Sequence, residues 1–409
     1  MKVIQINCVY GKGSTGKITE VIHKGLLERG VDSLVIYGRG QRPKEERLYK
    51  PCYELMAKFN NLASRVSGIM YGGCHSSTRK IIKIIKSEKP DIVHLQCING
   101  HFVNIYKLVK WLNENNIPTV LTHHADFMFT ANCSHSLECE KWKNRCSDCQ
   151  YWKKNTKSFF INNTEKSFDL MKDAFENFKY LKVVSVSPWL QGRSKDSKIF
   201  ANYPNSTVMN GLDTEVFCLM DKRILKKRYG FEGKRVVFHP TSSFKITEGH
   251  IKGGSYILKL AEIMPECIFI VAGRSENISQ QLKDKYKNLL FWGEVKNQNT
   301  LAELYNIADV TVLTSQRETF SMVLAESLCC GTPVAGFLAG GPESISIDKY
   351  CKFSPQGKIE ELAGNLRKLI DDKPDSQTIA EEASIKYSTQ TMVDKYLKEY
   401  EEILCKAKP

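Results

Sequence analysis

The sequence predicts an α/β fold of two doubly wound domains that face a cleft. Three observations carry this prediction. Short β-branched runs alternate with helically spaced apolar residues along the whole chain. The length, 409 residues, suits two domains at roughly 100–200 residues each. The chemically distinctive motifs follow predicted strands, as expected where ligands sit beyond the carboxyl ends of a parallel sheet.

In the first half the strand-like runs are Lys2–Asn7, Ser33–Tyr37, Asp91–Leu95, Thr119–Thr122 and Lys182–Val186. Ile18, Val21, Ile22, Leu26 and Leu27 between them fall on one helical face. These elements predict a first domain over 1–204. Residues from about 130 to 180 are rich in Cys, Lys, Asn and aromatics and read as an insertion in it. A second strand–helix series begins near Tyr203-Pro204-Asn205. Its runs are Ser206–Met209, Arg235–His239, Ile268–Ala272, Leu289–Trp292, Val310–Thr314 and Val334–Gly336. They predict a domain over 205–385. Met392, Val393, Tyr396, Leu397, Tyr400, Ile403 and Leu404 then make one amphipathic helix within 386–409.

Composition narrows the function. Hydrophobic residues at 42% and charged residues at 25% exclude a disordered or fibrous chain. Lys plus Arg exceeds Asp plus Glu by 59 − 45 = 14, which points to an anionic partner: a nucleotide, a nucleic acid or an acidic membrane surface. No recognised nucleic-acid module accompanies the charge. No apolar run reaches the ~18–20 residues of a membrane span, and the N-terminus lacks the apolar core of a secretion signal. The expected location is the cytoplasm, with peripheral contact at the inner face of the membrane as an option.

Five motifs carry chemistry. Gly11-Lys12-Gly13-Ser14-Thr15-Gly16-Lys17 follows the first strand and opens a helix, so its amides suit an anion. It nearly matches a P-loop, but Ile18 stands where a magnesium-binding hydroxyl is needed. Glu318-Thr319-Phe320-Ser321-Met322-Val323-Leu324-Ala325-Glu326 follows the strand Val310–Thr314. Ser321 suits an N-cap, and Gly331-Thr332-Pro333 ends a helix Met322–Cys330. The amides of Met322 and Val323 would face a diphosphate, with Glu318 before the helix and Glu326 within it suited to accept bonds from sugar hydroxyls. Thr122-His123-His124 ends a strand, where a histidine can bond sugar hydroxyls or the reacting centre. His124 is favoured over His123. Cys133, Cys139, Cys146 and Cys149 cluster with one C-x2-C pair, so structural zinc leads over disulfides and unlinked thiols. Leu55, Met56, Phe59, Leu62, Val66, Ile69 and Met70 form a helical stripe followed by Lys80, Lys83 and Lys86. An ordinary packed helix is preferred here, with docking on an anionic membrane as the alternative.

The series of motifs resembles the retaining glycosyltransferases of the GT-B fold, family 4, and among them the enzymes of bacterial capsule and exopolysaccharide synthesis. Met1–Ile18 is similar to the family's first strand and glycine-rich acceptor-side loop. Asn210-Gly211-Leu212-Asp213 is similar to its N-G-[VI]-D. Val271-Ala272-Gly273 and Phe291-Trp292-Gly293-Glu294-Val295 resemble the strand ends that flank the donor base. Ala308-Asp309-Val310, the Glu318–Glu326 pair and Gly340-Gly341-Pro342-Glu343 complete the order.

The resemblance implies two Rossmann-like domains, the last helix packing back on the first domain, and transfer of a hexosyl unit from a nucleotide-diphosphate sugar to a saccharide or lipid-linked acceptor. It assigns sugar-hydroxyl contact to Glu318, ribose contact to Glu326 and diphosphate pairing to Lys252 in Lys252-Gly253. It places His124 near the donor sugar. Gly13, Ser14, Asn210, Gly273, Arg274, Val295, Phe320, Ser321, Met322 and Val323 complete the expected donor contacts. No catalytic cofactor is implied. Two departures stand out. The segment His239 to Lys245 lacks the family's usual Arg, leaving Lys245 or Lys252 to carry the charge, and Ala125 interrupts the usual His-Asp pair. A catalytically silent sugar-nucleotide binder and a P-loop-like nucleotide protein are the alternative readings.

Overall fold

The computed structural model describes every residue except Arg42, Lys44, Glu276, Asn277, Lys408 and Pro409. The first sheet contains β1 (Lys2–Asn7), β2 (Asp32–Tyr37), β3 (Leu48–Tyr49), β4 (Ile92–Leu95), β5 (Thr119–His123), β6 (Leu181–Ser185) and β7 (Asn205–Thr207). The second contains β8 (Arg235–Phe244), β9 (Cys267–Ser275), β10 (Leu289–Gly293), β11 (Val310–Leu313), β12 (Val334–Phe337) and β13 (Cys351–Ser354). Strand orders are β3-β2-β1-β4-β5-β6-β7 and β10-β9-β8-β11-β12-β13, with every pairing parallel. Parallel strands are covered on both faces, which explains unbroken apolar runs such as Leu34, Val35 and Ile36.

The order reverses between β1 and β4 in one sheet and between β8 and β11 in the other. Loops leaving the carboxyl ends of such a strand pair diverge to opposite faces and open a crevice between them. The glycine-rich turn leaves β1. Lys252 and Glu318 lie on the loops that leave β8 and β11.

The run Ser206–Met209, expected to open the second domain, is instead β7 at the edge of the first sheet, paired with β6. Two further strands lie outside the sequence expectation. β3 has two residues and β13 four, and both occupy sheet edges. β8 runs five residues past the expected His239 end, and its register against β9 shifts between Pro240 and Ser243. Pro240 has no N–H to donate, so the ladder is interrupted there.

The chain divides into Met1–Met209 with Met392–Pro409, and Asn210–Thr391. The last helix, Thr389–Ala407, turns Met392, Val393, Tyr396, Tyr400 and Ile403 into the first unit's core, against Val3, Ile22, Leu26, Val120 and Val184. Beneath it runs a buried polar chain. His94 bonds the Tyr400 hydroxyl at 2.7 Å and the Thr122 hydroxyl at 2.8 Å, and Thr122 bonds Tyr396 at 3.1 Å. The second unit's core gathers Val237, Phe269, Val271, Val312 and Ala335 of the sheet with Ile257, Leu260, Leu362 and Leu366 of flanking helices.

The helix Glu54–Ser67 departs from the preferred sequence reading. Its apolar stripe is not packed on the unit: Leu55 is 80% exposed and Phe59 66%. Ala57, Asn60 and Ser64 face inward instead. Asn60 explains the orientation, because its Oδ1 accepts from the Cys74 amide at 3.1 Å in the interior.

Burial pushes His94 and His123 down to about 3 and His239 down to about 4. An unfolded histidine titrates near ~6.5. Between those values the unfolded chain binds protons that the folded chain refuses, so stability falls as pH drops. Urea unfolding should give a lower midpoint at pH 5 than at pH 7.5, with little change from 7.5 to 8. Equal midpoints at pH 5 and 7.5 would contradict burial of these neutral rings.

Candidate functional site

In the second unit two loops close on each other. Gly253 has φ +64, and a Cβ there would lie 2.0 Å from the Thr314 carbonyl oxygen, so only glycine permits this approach. The Thr314 hydroxyl donates to the Lys252 carbonyl at 3.0 Å, and the Gln316 amide donates to that of Ile251 at 2.8 Å. With the loops so joined, Lys252 Nζ meets Glu318 Oε1 at 2.5 Å. The pair is 30% and 24% exposed, open enough for a ligand to reach.

Glu318 is fixed on its other side. Its amide donates to Ala339 (3.0 Å) and its carbonyl accepts from Gly341 (2.9 Å). A Cβ on Gly341 would stand 2.5 Å from the Thr319 carbonyl carbon. The Glu343 carboxylate accepts from the amides of Ala339 (3.0 Å) and Gly340 (2.6 Å), which stiffens this second loop. The Gly340-Gly341-Pro342-Glu343 motif therefore acts as a backing for the glutamate loop.

The helix after Glu318 runs Met322–Cys329. Ser321 caps it, its Oγ accepting from the Leu324 amide at 3.3 Å. The cap sits at φ +88, in the left-handed region, where a side chain costs about 1–3 kcal/mol. The strain falls inside the Glu318–Glu326 motif. The amides of Met322 and Val323 have no acceptor within the helix and form its positive end. Phe320 beside them is buried.

Glu326 lies one turn further, half-buried, and accepts from the Tyr305 hydroxyl at 2.7 Å. Tyr305 is fully buried, edge-on to Phe238 (5.0 Å) and Phe217 (6.2 Å). Its carbonyl accepts from the Thr332 hydroxyl at 2.7 Å. Burial and the adjacent Glu326 charge raise the Tyr305 hydroxyl well above its usual range, so it remains a donor. Sequence reasoning missed Tyr305; only the fold brings it to Glu326, and an interior tyrosine has no distinguishing pattern. His239 was also missed as a neighbour. Its Nδ1 donates to the Val312 carbonyl at 3.1 Å, while Nε2 is buried without a partner among the described residues. Burial, with the nearby Lys252 charge, holds this ring neutral.

The remaining second-unit candidates lie at distinct places. Gly273 and Arg274 are in β9, with Arg274 exposed and in register with Ser243. Val295 follows the end of β10. Asn210 opens the unit, 5% exposed, with Oδ1 buried and unpartnered among the described residues. Lys245 follows β8 on the same loop as Lys252.

Gly13, Ser14 and His124 belong to the first unit. Gly13 begins the helix Gly13–Glu28, and Ser14 is exposed in its first turn. His124 and this turn are linked by a ladder under the sheet's carboxyl edge. His124 Nε2 bonds Gln96 Oε1 (2.7 Å), Gln96 donates to Gln5 (3.1 Å), and Gln5 donates to the Thr19 carbonyl (3.4 Å). Asn7 completes it, donating to the Thr19 hydroxyl at 2.8 Å and accepting from the Cys97 amide at 3.0 Å. Burial pushes His124 down to about 4, so the ring is neutral near pH 7. His123 points elsewhere. It is fully buried, edge-on to Phe129 and Phe200, with both ring nitrogens unpartnered among the described residues.

The four cysteines read as a zinc cage lie in one neighbourhood, where Cys146, Cys149 and Cys139 all add to burial in raising the Cys133 thiol. Cys133, Cys139, Cys146 and Cys149 are half-buried free thiols. They are close enough that Cys139 and Cys149 add to burial in pushing Cys146 up to about 12. Yet among the described residues no three His, Cys, Asp or Glu side chains converge as metal ligands. Cys133 Sγ instead accepts from Asn155 at 2.9 Å. Other contacts also hold the insertion. Trp142 is fully buried against Phe129 (5.0 Å), and Arg193 lies 4.5 Å over its ring while pairing with Asp126 at 3.2 Å.

Comparison with known proteins bears on this geometry. Residues 247–386 match the family described as "Glycosyl transferases group 1". The matched stretch lies within the second unit and contains Lys252, Tyr305, Glu318, Ser321 and Glu326. The chain is 27% identical over 202 residues to N-acetyl-alpha-D-glucosaminyl L-malate synthase of Bacillus anthracis, covering 48% of this chain and 52% of that one. The match thus spans about half of that relative. The chain is 19% identical over 427 residues to a putative colanic acid biosynthesis glycosyl transferase, WcaC, of Escherichia coli strain K12, covering 98% and 100%. Among solved structures, Anabaena Alr3699/HepE in complex with UDP-glucose superposes with a TM-score of 0.65 at 14% identity, covering 98% and 100%. The fold is GT-B, with two Rossmann-like parallel sheets.

Within the matched stretch, the Tyr305 hydroxyl holds the Glu326 carboxylate. Removing one bond to a charged carboxylate costs about 1.5–3 kcal/mol. Tyr305→Phe should therefore lower the stability of the fold by about 1.5–3 kcal/mol. Urea unfolding of the two proteins checks this; an unchanged midpoint contradicts it.

Proposed function

We propose that the protein is a retaining hexosyltransferase of the family 4 type, using a nucleotide-diphosphate sugar. The acceptor is a saccharide or a lipid-linked saccharide, in surface polysaccharide synthesis on the cytoplasmic side of the membrane. The observation that carries the proposal is the Lys252–Glu318 pair at 2.5 Å beside the N-terminus of the helix Met322–Cys329. Glu326, held by Tyr305, stands one turn into that helix. This order of cation, helix end and two carboxylates suits one extended ligand: hexose, diphosphate, ribose. The similarity to WcaC and the UDP-glucose held by the HepE structure support a polysaccharide product and a nucleotide-sugar donor.

The donor would divide the pair seen here. Its diphosphate attracts the Lys252 ammonium and the amides of Met322 and Val323. Glu318, released from Lys252, accepts bonds from hexose hydroxyls, and Glu326 accepts from the ribose. As the glycosidic bond to the phosphate breaks, negative charge grows on the diphosphate, where Lys252 and the helix end oppose it. The acceptor hydroxyl attacks the same face of the sugar, and its proton passes to the departing phosphate oxygen. No side-chain nucleophile is required. His124, neutral and oriented by Gln96, is a hydrogen-bonding group rather than a cation.

Calorimetry with UDP, GDP, ADP and their hexose conjugates tests the reading. One nucleotide should bind at micromolar strength, and Glu326→Ala should weaken it. Lys252→Ala should lower turnover by on the order of 100-fold or more. Failure of every nucleotide to bind, or normal turnover by Lys252→Ala, would overturn the proposal.

A further inference from the structure

We propose that the helix Glu54–Ser67 and the adjoining loop 157–163 form a docking surface for an anionic lipid bilayer. The helix is amphipathic with its apolar face outward. Leu55, Phe59, Leu62 and Val66 follow at i, i+4, i+7 and i+11, share one face, and are 80%, 66%, 51% and 50% exposed. The loop extends this face. The Phe159 amide and the Ser158 hydroxyl both donate to the Arg65 carbonyl, at 2.8 and 3.0 Å, and Asn163 donates to the Ser67 carbonyl at 2.7 Å. These bonds hold Phe160, 80% exposed, and Ile161 beside the helix end. With Tyr53, Met56 and Phe159, nine of the eighteen exposed large hydrophobic side chains among the described residues collect on these two segments. A concentration of this kind marks an interaction surface rather than chance exposure.

Charge selects the occupant. Lys80 lies 5.4 Å over the Tyr53 ring at one end of the patch, and Arg65 lies 5.0 Å over the Phe159 ring at the other. Lys58 on the helix and Lys157 on the loop are exposed. The helix's one acid, Glu54, is bound by Arg39 at 2.8 Å and Lys50 at 3.2 Å. Apolar side chains rimmed by cations fit an interface of acyl chains and anionic headgroups. A second copy laid face to face would set these cations against each other.

The surface is independent of the donor-site reading, and vesicles free of acceptor test it alone. The full chain should bind phosphatidylglycerol-containing vesicles roughly tenfold more tightly than phosphatidylcholine vesicles in flotation. Phe59→Ser with Phe160→Ser should reduce that binding at least about tenfold without lowering the melting temperature, because both rings are exposed. Lys58→Glu with Lys157→Glu should weaken binding and flatten its salt dependence. Absence of wild-type binding, or full binding by Phe59→Ser/Phe160→Ser, overturns the inference. A dimer that the same double variant splits, without vesicle binding, assigns the face to a second copy and also overturns it.

Discussion

The close approach of Gly253 to the Thr314 carbonyl is the constraint on which the second unit's site depends. Two loops that leave neighbouring strands at a reversal point would ordinarily diverge. Here a position with no Cβ lets one lie against the other, and hydrogen bonds from Thr314 and Gln316 hold them. The Lys252–Glu318 pair is a consequence of this contact. So is the aim of the helix Met322–Cys329, which begins three residues after Glu318 at a strained serine. Tyr305 then extends the rigidity inward, tying Glu326 to an aromatic cluster in the core. The cation, the helix end and the carboxylates are thereby held near one another by backbone contacts.

The first unit solves a similar problem with amides. Gln5, Asn7 and Gln96 occupy interior positions of β1 and the end of β4, where apolar residues would pack as well. Their side chains connect His124 to the helix behind the glycine-rich turn. A buried amide network of this kind holds its members in one arrangement because each unmade bond would be costly. The last helix depends on the same device, with His94 and Thr122 meeting Tyr400 and Tyr396. The unit thus keeps polar groups inside to orient other groups, and in the helix Glu54–Ser67 it leaves apolar groups outside.

Parts of this were legible beforehand for clear reasons. Eleven strand runs announced themselves by β-branched composition, because buried parallel strands leave no room for polar alternation. β3 and β13 did not, since edge strands of two and four residues carry too little pattern. The cysteine cluster suggested a cage by spacing, but spacing along a chain does not dictate where sulfur atoms point: the four thiols lie near one another, while among the described residues no three side chains form a metal-ligand group. The stripe from Leu55 to Val66 had the period of a packed helix. Periodicity identifies a face and not its direction, and Asn60 turned that face outward.

The sequence by itself determined the alternating parallel architecture, the capped helix after Glu318 and the neighbourhood of each motif, because these follow from local periodicity, capping and glycine placement. Only the tertiary structure decided which groups meet. Lys252 and Glu318 are 66 residues apart, Tyr305 and Glu326 are 21 apart, and His124 and Gln96 are 28 apart. Contacts at such separations depend on strand order and loop approach. Those are settled by packing of the whole sheet and leave no mark on the residues themselves.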